Sequence, residues 1–158
     1  MEMTRMNCPM RSPGDNGSTT LTTEVNFGEP MQIKPILKAM LLCDQTLVEE
    51  GTHKRTLIGL FDRIKGTEFP TTHPSMSVYV QFREIEGVFD FMLELFDLDQ
   101  EKSMNRAVIS KFRVQERSRD CELVFNLMAV KFEHPGDYEF RIYVDDYIFG
   151  QKSFKVLQ

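Results

Sequence analysis

The segment from Tyr138 to Asp145 alternates strictly between two sets of residues, and this alternation restricts the fold more than any other feature. One set is apolar or aromatic (Tyr138, Phe140, Ile142 and Val144), and the residues between them are Glu139, Arg141, Tyr143 and Asp145. Successive side chains of a strand point to opposite faces, so the alternation predicts a β-strand with one buried face. Asp145 and Asp146 precede a further strand-like run, from Tyr147 to Leu157. Because Asp tolerates the left-handed region, the pair predicts a tight hairpin turn.

Similar runs follow one another about every ten residues from Ile36 onward. They are Ile36–Asp44, Thr56–Ile64, Ser77–Phe82, Phe89–Leu95, Ala107–Gln115 and Cys121–Ala129. Alternation predicts that Val108, Phe112 and Val114 share a face. It also predicts a shared face for Cys121, Leu123, Phe125, Leu127 and Ala129. Together with the two C-terminal runs this makes about eight strands, and strands at this spacing predict an all-β sandwich or a small barrel, of which we favour the sandwich.

The first run admits a helical alternative. The segment from Leu37 to Glu50 contains Leu, Met, Ala and Lys residues, which favour a helix. However, Pro35 precedes Ile36 where a helix would need a capping residue, and the surrounding runs all favour strands. We therefore predict a strand here as well.

The first 33 residues differ in composition from the rest of the chain. The stretch from Asn7 to Asn26 is rich in Ser, Thr, Gly, Pro and Asn and holds few large apolar residues. Such a segment cannot bury enough surface to offset the entropy of ordering, so we predict a disordered tail over 1–33. The β-sandwich domain is predicted over 34–158. Met31 directly precedes the first apolar run, and translation from Met31 is an alternative start.

Charge and hydropathy argue against two classes of partner. The net charge is −5, and the basic residues are scattered, with the densest groups at His53–Arg55 and at Arg117 with Arg119. Binding to a nucleic acid duplex needs a concentrated basic face, so we expect no nucleic-acid partner. No stretch approaches the roughly 18 apolar residues of a membrane span, and no secretory signal is visible. We expect no membrane partner.

Cysteine usage indicates the compartment. Cys8, Cys43 and Cys121 form no CxxC pair and leave one thiol over in any disulfide scheme, which is typical of a reducing compartment. We therefore expect a cytoplasmic protein. Cys43 and Cys121 lie within apolar runs and are predicted to be small buried side chains.

No catalytic constellation is visible. His53, His73 and His134 all fall in predicted loops, and the last two precede proline. The sequence contains no GxSxG, HExxH, P-loop or GxGxxG motif, which would bring a nucleophile, a metal or a phosphate to defined side chains. We expect no enzyme activity, no metal site and no cofactor.

The acidic loop Asp97-Leu-Asp-Gln-Glu101 has alternate acids that can ligate calcium. It does not fit a calcium-binding helix-loop-helix, because Lys102 stands at position six and Val108 at position twelve. A looser site formed with Asp145 and Asp146 stays open as an alternative. We favour a solvated connection between two strands.

Two runs carry apolar residues on both faces. Val88, Met92 and Phe96 lie opposite the Phe89 face, and Val124, Met128 and Val130 lie opposite the Cys121 face. One apolar row per strand suffices for a sandwich core, so a second row needs another explanation. If exposed, these six residues form a face that binds a partner or a second copy. If covered, they belong to central strands.

Four groups of residues carry a resemblance to a known family: Leu41–Asp44, Thr56–Ile64, Glu68–Pro70 with His73–Ser75, and His134–Asp145. Together they resemble a family of small bacterial proteins known only as a domain of unknown function. The resemblance covers Pro35 to the C-terminus and implies an immunoglobulin-like β-sandwich, with no established activity. Pro135-Gly-Asp-Tyr138 also resembles the corner before a late strand of such sandwiches, where a Tyr hydroxyl bonds back to the backbone.

These observations favour a non-catalytic, cytoplasmic interaction module that binds an unknown protein partner or a dimer mate. The alternative is a ligand-binding sandwich, for a carbohydrate or for calcium and a lipid headgroup through acidic loops. Sugar binding uses exposed planar aromatic residues, yet the chain has no Trp and only four Tyr.

Overall fold

A computed structural model describes residues 35–115 and 120–158, and these residues form nine β-strands. The strands are β1 (Ile36–Val48), β2 (Arg55–Leu60), β3 (Arg63–Lys65), β4 (Thr71–Arg83), β5 (Gly87–Asp97), β6 (Lys102–Val114), β7 (Cys121–Phe132), β8 (Gly136–Val144) and β9 (Tyr147–Leu157). The described residues contain no helix that is long and apolar enough to cross a membrane. Predictions about residues 1–33, including Cys8 and Met31, and about Arg117 and Arg119 concern residues outside the described part.

The strands form a four-stranded sheet, in the order β2-β1-β4-β7, and a five-stranded sheet, in the order β3-β9-β8-β5-β6. The core lies between them and includes the fully buried rings of Phe82, Phe91, Phe132, Tyr138 and Phe140. If β1, β4 and β7 are equated with strands A, B and E, and β9, β8, β5 and β6 with G, F, C and C′, both orders are those of an immunoglobulin-like sandwich. The predicted fold class is confirmed, and β1 is a strand, as predicted.

The predicted hairpin turn at Asp145 and Asp146 and the predicted corner at Tyr138 are both confirmed. Asp145 and Asp146 both adopt positive φ, at 47° and 68°, and form the two-residue turn between β8 and β9. The Tyr138 hydroxyl donates to the carbonyl oxygen of His134 at 2.8 Å, which is the predicted corner. Cys43 and Cys121 are buried, and neither forms a disulfide.

The run Thr56–Ile64 was predicted as one strand, and this is wrong. It divides at Phe61 and Asp62, so that β2 pairs with β1 in one sheet while β3 pairs in parallel with β9 in the other. The residues are largely apolar on both sides of the crossing point, so the spacing of apolar residues does not show where the chain leaves one sheet for the other. The result is nine strands instead of eight.

Two strands change the face that they bury. In β6 a bulge lies opposite Asp90, where Lys111 adopts a positive φ of 54°, and Val108 is therefore exposed while Phe112 is buried. In β7 Ala129 adopts a φ of 52° and is exposed, and Val130 is buried instead. The predicted shared faces are wrong at Val108 and at Ala129, because one left-handed residue reverses the alternation beyond it.

The hairpin of β1 and β2 folds back over the outer face of the four-stranded sheet. β1 pairs with β4 only as far as Cys43. Arg55 lies beside Val48 in the hairpin, whereas Glu122 lies in the cross-strand row that contains Ala39. Along a straight strand, positions 39 and 48 are about 30 Å apart. Nevertheless Arg55 Nε donates to Glu122 Oε2 at 2.7 Å, so the hairpin must turn back; we call residues 44–60 the arm.

Gly59, near the base of the arm, has a φ of 68°. A Cβ atom there would overlap the carboxylate of Asp44, and the backbone conformation itself favours glycine. On β1, the Cys43 Sγ and Thr46 Oγ1 atoms are 3.5 Å apart. Side chains three positions apart in a regular strand point to opposite faces, so β1 is irregular at the base of the arm. Ser77 and Tyr79, which also lie on the outer face of the four-stranded sheet, are buried as well.

Candidate functional site

The outer face of the five-stranded sheet combines buried charges with an exposed apolar row. Register between β5 and β8 places three pairs of side chains side by side: Met92 with Tyr143, Glu94 with Arg141, and Phe96 with Glu139. Their neighbours Phe91, Leu93, Leu95, Phe140 and Ile142 point inward and are buried. Because strand side chains alternate, these three pairs face away from the core.

Glu94 is the centre of the charged part of this face. Its carboxylate accepts hydrogen bonds from the Tyr143 hydroxyl, at 2.9 Å, and from Arg106 Nε, at 2.9 Å, and a further bond links it to the Ser103 side chain. Although it lies on an outward face, Glu94 is only 3% exposed. Its hydrogen-bond partners on β6 and β8 therefore cover it and fix its orientation.

Glu139 and Arg141 extend this network across β8. Arg141 Nε donates to Glu139 Oε1 at 2.8 Å, and the Ser153 hydroxyl donates to the other carboxylate oxygen at 3.1 Å. The guanidinium carbon of Arg141 lies 3.7 Å from the centroid of the Phe96 ring, close enough for a cation–π contact. The Arg141 side chain therefore covers Phe96 and neutralises Glu139 at the same time.

Hydrogen bonds keep Glu94 charged. Burial raises the pKa of the Glu94 carboxyl, but the hydrogen bonds from Ser103, Tyr143 and Arg106 outweigh burial and hold the pKa below its ordinary value. The carboxylate is therefore ionised at neutral pH. Since donors of its own sheet already occupy the lone pairs of Glu94, the network presents a fixed pattern of charge.

An apolar row crosses the sheet beside the network. Cross-strand pairing aligns Val108, Met92, Tyr143 and Ile148 over β6, β5, β8 and β9. Val108 is 43% exposed and Ile148 is 52% exposed. Val88 and Tyr147, also exposed, lie nearer the β8–β9 turn. A contiguous row of this kind on a sheet face is typical of a surface that contacts another molecule.

The structure separates the six residues predicted as one face. Val88, Met92 and Phe96 lie on the outer face of the five-stranded sheet, whereas Val124 and Met128 lie on the outer face of the four-stranded sheet, on the opposite side of the sandwich. Val130 is buried, because the positive φ of Ala129 turns it inward. The single combined face is therefore wrong, and the outer rows of β5 and β7 must be considered separately.

Sequence reasoning missed the charged half of this face. Alternation did place Arg141 and Tyr143 opposite the core, but it could not show that they meet Glu94, which lies 49 residues away from Tyr143 in the chain. One signal was present: Glu94 stands directly between the apolar residues Met92 and Phe96 in the outer row of β5. A carboxylate in such a row requires a partner from another strand.

The structure does not assemble the calcium site considered for the acidic loop. Asp97 Oδ1 accepts hydrogen bonds from the backbone N–H groups of Asp99 and Gln100, so it closes the turn between β5 and β6. Asp145 lies at the other end of β5, where its carboxylate accepts from the N–H of Asp90 at 2.9 Å. The described residues contain no group of three or more His, Cys, Asp or Glu side chains that could hold a metal ion.

His134 connects the turn between β5 and β6 to the corner at Tyr138. Its Nδ1 atom lies 2.9 Å from the carbonyl oxygen of Pro135, and its Nε2 atom lies 2.8 Å from Asp97 Oδ2. Both neighbours are acceptors, so a ring protonated on both nitrogens satisfies both. The Pro135 carbonyl contributes most to raising the pKa of His134, burial opposes it, and the Asp97 carboxylate raises it further.

The stability of the domain should therefore decrease as the pH rises through the pKa of folded His134. A raised pKa in the folded state means that the contribution is complete below the ordinary histidine pKa of about 6.5 and is lost above the higher folded value. Urea unfolding at a series of pH values measures this decrease, and His134→Gln should remove it. The same decrease in the His134→Gln protein would assign the effect to another group.

Two solved structures are similar to this chain over part of their lengths or of its own. A DNA glycosylase, AlkC from Pseudomonas fluorescens, solved bound to DNA containing an abasic site analog, is similar with a TM-score of 0.44 and 8% identity. That similarity covers 61% of this chain and 28% of the glycosylase chain. An immunoglobulin-like protein from Pseudomonas aeruginosa is similar with a TM-score of 0.40 and 10% identity, over 80% of this chain and 99% of that chain.

No curated protein sequence matches the chain. A model of one protein family matches residues 38–157, which include all nine strands except the first two residues of β1. This range agrees with the predicted resemblance, which begins at Pro35. The chain belongs to DUF6941, a family of unknown function.

Proposed function

We propose that this domain is a non-catalytic interaction module that binds a protein partner through the outer face of the five-stranded sheet. The observation that carries the proposal is the apolar row of Val108, Met92, Tyr143 and Ile148, which lies directly beside the ordered network around Glu94. Apolar area supplies affinity, and a fixed charge pattern supplies specificity, so the two together are typical of protein recognition.

The network supports binding by limiting its entropic cost. Arg141 is held by Glu139 and by the Phe96 ring, and Tyr143 is held by Glu94. Side chains that are already ordered lose less conformational freedom when a partner binds. The face is therefore preorganised in the free protein.

The charges beside the apolar row define the chemistry of the partner. Arg106 adjoins the row on the β6 side, and its side chain is 59% exposed although it pairs with Glu94. Arg141 lies two positions from Tyr143 on the same face of β8. We therefore expect a partner surface in which apolar side chains are flanked by carboxylates, since these can pair with the remaining donors of Arg106 and Arg141.

Substitution of an exposed member of the row tests the proposal. Val108→Glu and Ile148→Glu should each reduce capture of the partner from the native host about tenfold or more, because each places a carboxylate where apolar area must be buried. The amount captured by tagged protein is compared by quantitative mass spectrometry. Both variants should keep the circular dichroism spectrum of a folded β domain, since both side chains are exposed.

Ile58→Glu is the matched control. Ile58 has the same 43% exposure as Val108 but lies on the arm, away from the five-stranded sheet. It should capture the partner as the unsubstituted protein does. Equal capture by all variants would contradict the proposal, and so would a protein that binds glycans and captures no protein.

A further inference from the structure

The sandwich has four sheet edges, and three of them have features that discourage pairing with another chain. β3 has three residues, and β2 has six, of which Arg55 is basic and Gly59 has a positive φ. β6 has a bulge at Lys111 and carries Lys102, Arg106 and Arg113. Short strands, bulges and basic side chains all prevent an edge from adding a further strand.

The fourth edge, β7, has none of these features from Leu123 to Met128, and its one backbone irregularity, at Ala129, lies beyond them. It is 12 residues long, and no charged residue lies between Glu122 and Lys131. Among the described strands it pairs with β4 alone. Its outer row includes Val124 and Met128, and Met128 is 62% exposed. A long edge with an uncharged centre is suited to adding a strand.

We infer that β7 pairs with β7 of a second copy of this chain, in antiparallel orientation about a two-fold axis at Asn126. With the axis there, Val124 of each copy stands opposite Met128 of the other, so an apolar pair forms twice on the outer face. Glu122 of each copy stands opposite Val130 of the other, next to Lys131, so two opposite charges lie near each other at both ends of the paired segment. Pairing joins the two four-stranded sheets into one sheet of eight strands.

The side chains of β7 select this register over its neighbours. An axis at Phe125 would place Asn126 opposite Val124, and an axis at Leu127 would place it opposite Met128, so an amide would face an apolar side chain. An axis between two residues would place core residues of one copy opposite outer residues of the other. Of these registers, only the one with the axis at Asn126 places Asn126 opposite Asn126 and an apolar side chain opposite an apolar side chain.

Charge substitutions at the paired positions test both the dimer and its register. Val124→Glu and Met128→Arg should each convert the dimer into a monomer in sedimentation equilibrium at concentrations from micromolar to millimolar. An equimolar mixture of the two variants should form a heterodimer, because the introduced glutamate of one faces the introduced arginine of the other. Leu60→Arg, at a side chain with a similar exposure of 60% on the arm, should leave the dimer intact.

Hydrogen exchange gives a second measurement that needs no substitution. The amides of β7 that face the free edge should become more protected as the concentration of the unsubstituted protein rises, since pairing gives them acceptors. A chain that stays monomeric at millimolar concentration overturns the inference, as do single variants that remain dimeric or a mixture that remains monomeric. The proposed partner site lies on the other sheet, so the two proposals stand or fall separately.

Discussion

Phe140→Ala is expected to lower the free energy of unfolding by about 3–5 kcal/mol, because removing a buried ring leaves a cavity that the two sheets cannot close. Phe140 is fully buried, and its ring stacks on Phe154 at a centroid distance of 5.5 Å. Equilibrium unfolding in urea, followed by circular dichroism, measures the loss.

Arg141→Ala, at the next residue, separates the two faces of β8. Alternation alone predicts a solvated side chain, for which the loss is within about 0.5 kcal/mol. The structure changes this expectation, because Arg141 covers Phe96 and pairs with the buried Glu139. We expect a loss of about 1–2 kcal/mol, smaller than that of Phe140→Ala. Equal losses for both variants would mean that the outer face is as closely packed as the core.

Arg55→Met is expected to lower the free energy of unfolding by about 2–3 kcal/mol and to release the arm. Breaking a fully buried ion pair costs about 3–5 kcal/mol, and the cost is smaller here because Glu122 keeps some contact with water. The Arg55 side chain is 6% exposed, that of Glu122 is 31% exposed, and Glu122 also accepts from the Tyr79 hydroxyl at 2.8 Å. Equilibrium unfolding again measures the loss.

Thiol chemistry shows whether the loss comes from the arm. Cys43 lies at its base with no exposed surface, so its reaction with a thiol reagent requires local opening. In a Cys8→Ser background, Arg55→Met should accelerate the modification of Cys43 well beyond that of Cys121. Arg63→Met removes an ion pair with Asp62 in which both side chains are exposed, and it should leave stability and thiol reactivity nearly unchanged. Slow modification of Cys43 in Arg55→Met would contradict the role of Arg55 in holding the arm.

The candidate site was predictable only in part. Period-two spacing correctly assigned Met92 and Phe96 to the side opposite the core, because the face of a residue within its own strand is a local property. The partners of Glu94 could not be predicted, since Tyr143 and Arg106 come from two other strands and meet Glu94 only through the strand order. The spacing of apolar residues in a strand predicts which of its faces is apolar, but it does not predict which strands pair with it.

The amino-acid sequence by itself determined the elements whose cause is local. These include the strands other than β2 and β3, the Asp145–Asp146 turn and the corner at Tyr138. The cause is local in each case, because it is a run of apolar side chains or the backbone freedom of one or two residues. Tertiary structure alone decided which sheet each strand joins, and it therefore placed the outer rows of β5 and β7 on opposite sides. It also decided the face reversal at Ala129 and the return of the arm to Glu122. These features depend on contacts between segments that are distant in the chain. The free energy of such contacts cannot be predicted from the residues that neighbour each position in the sequence.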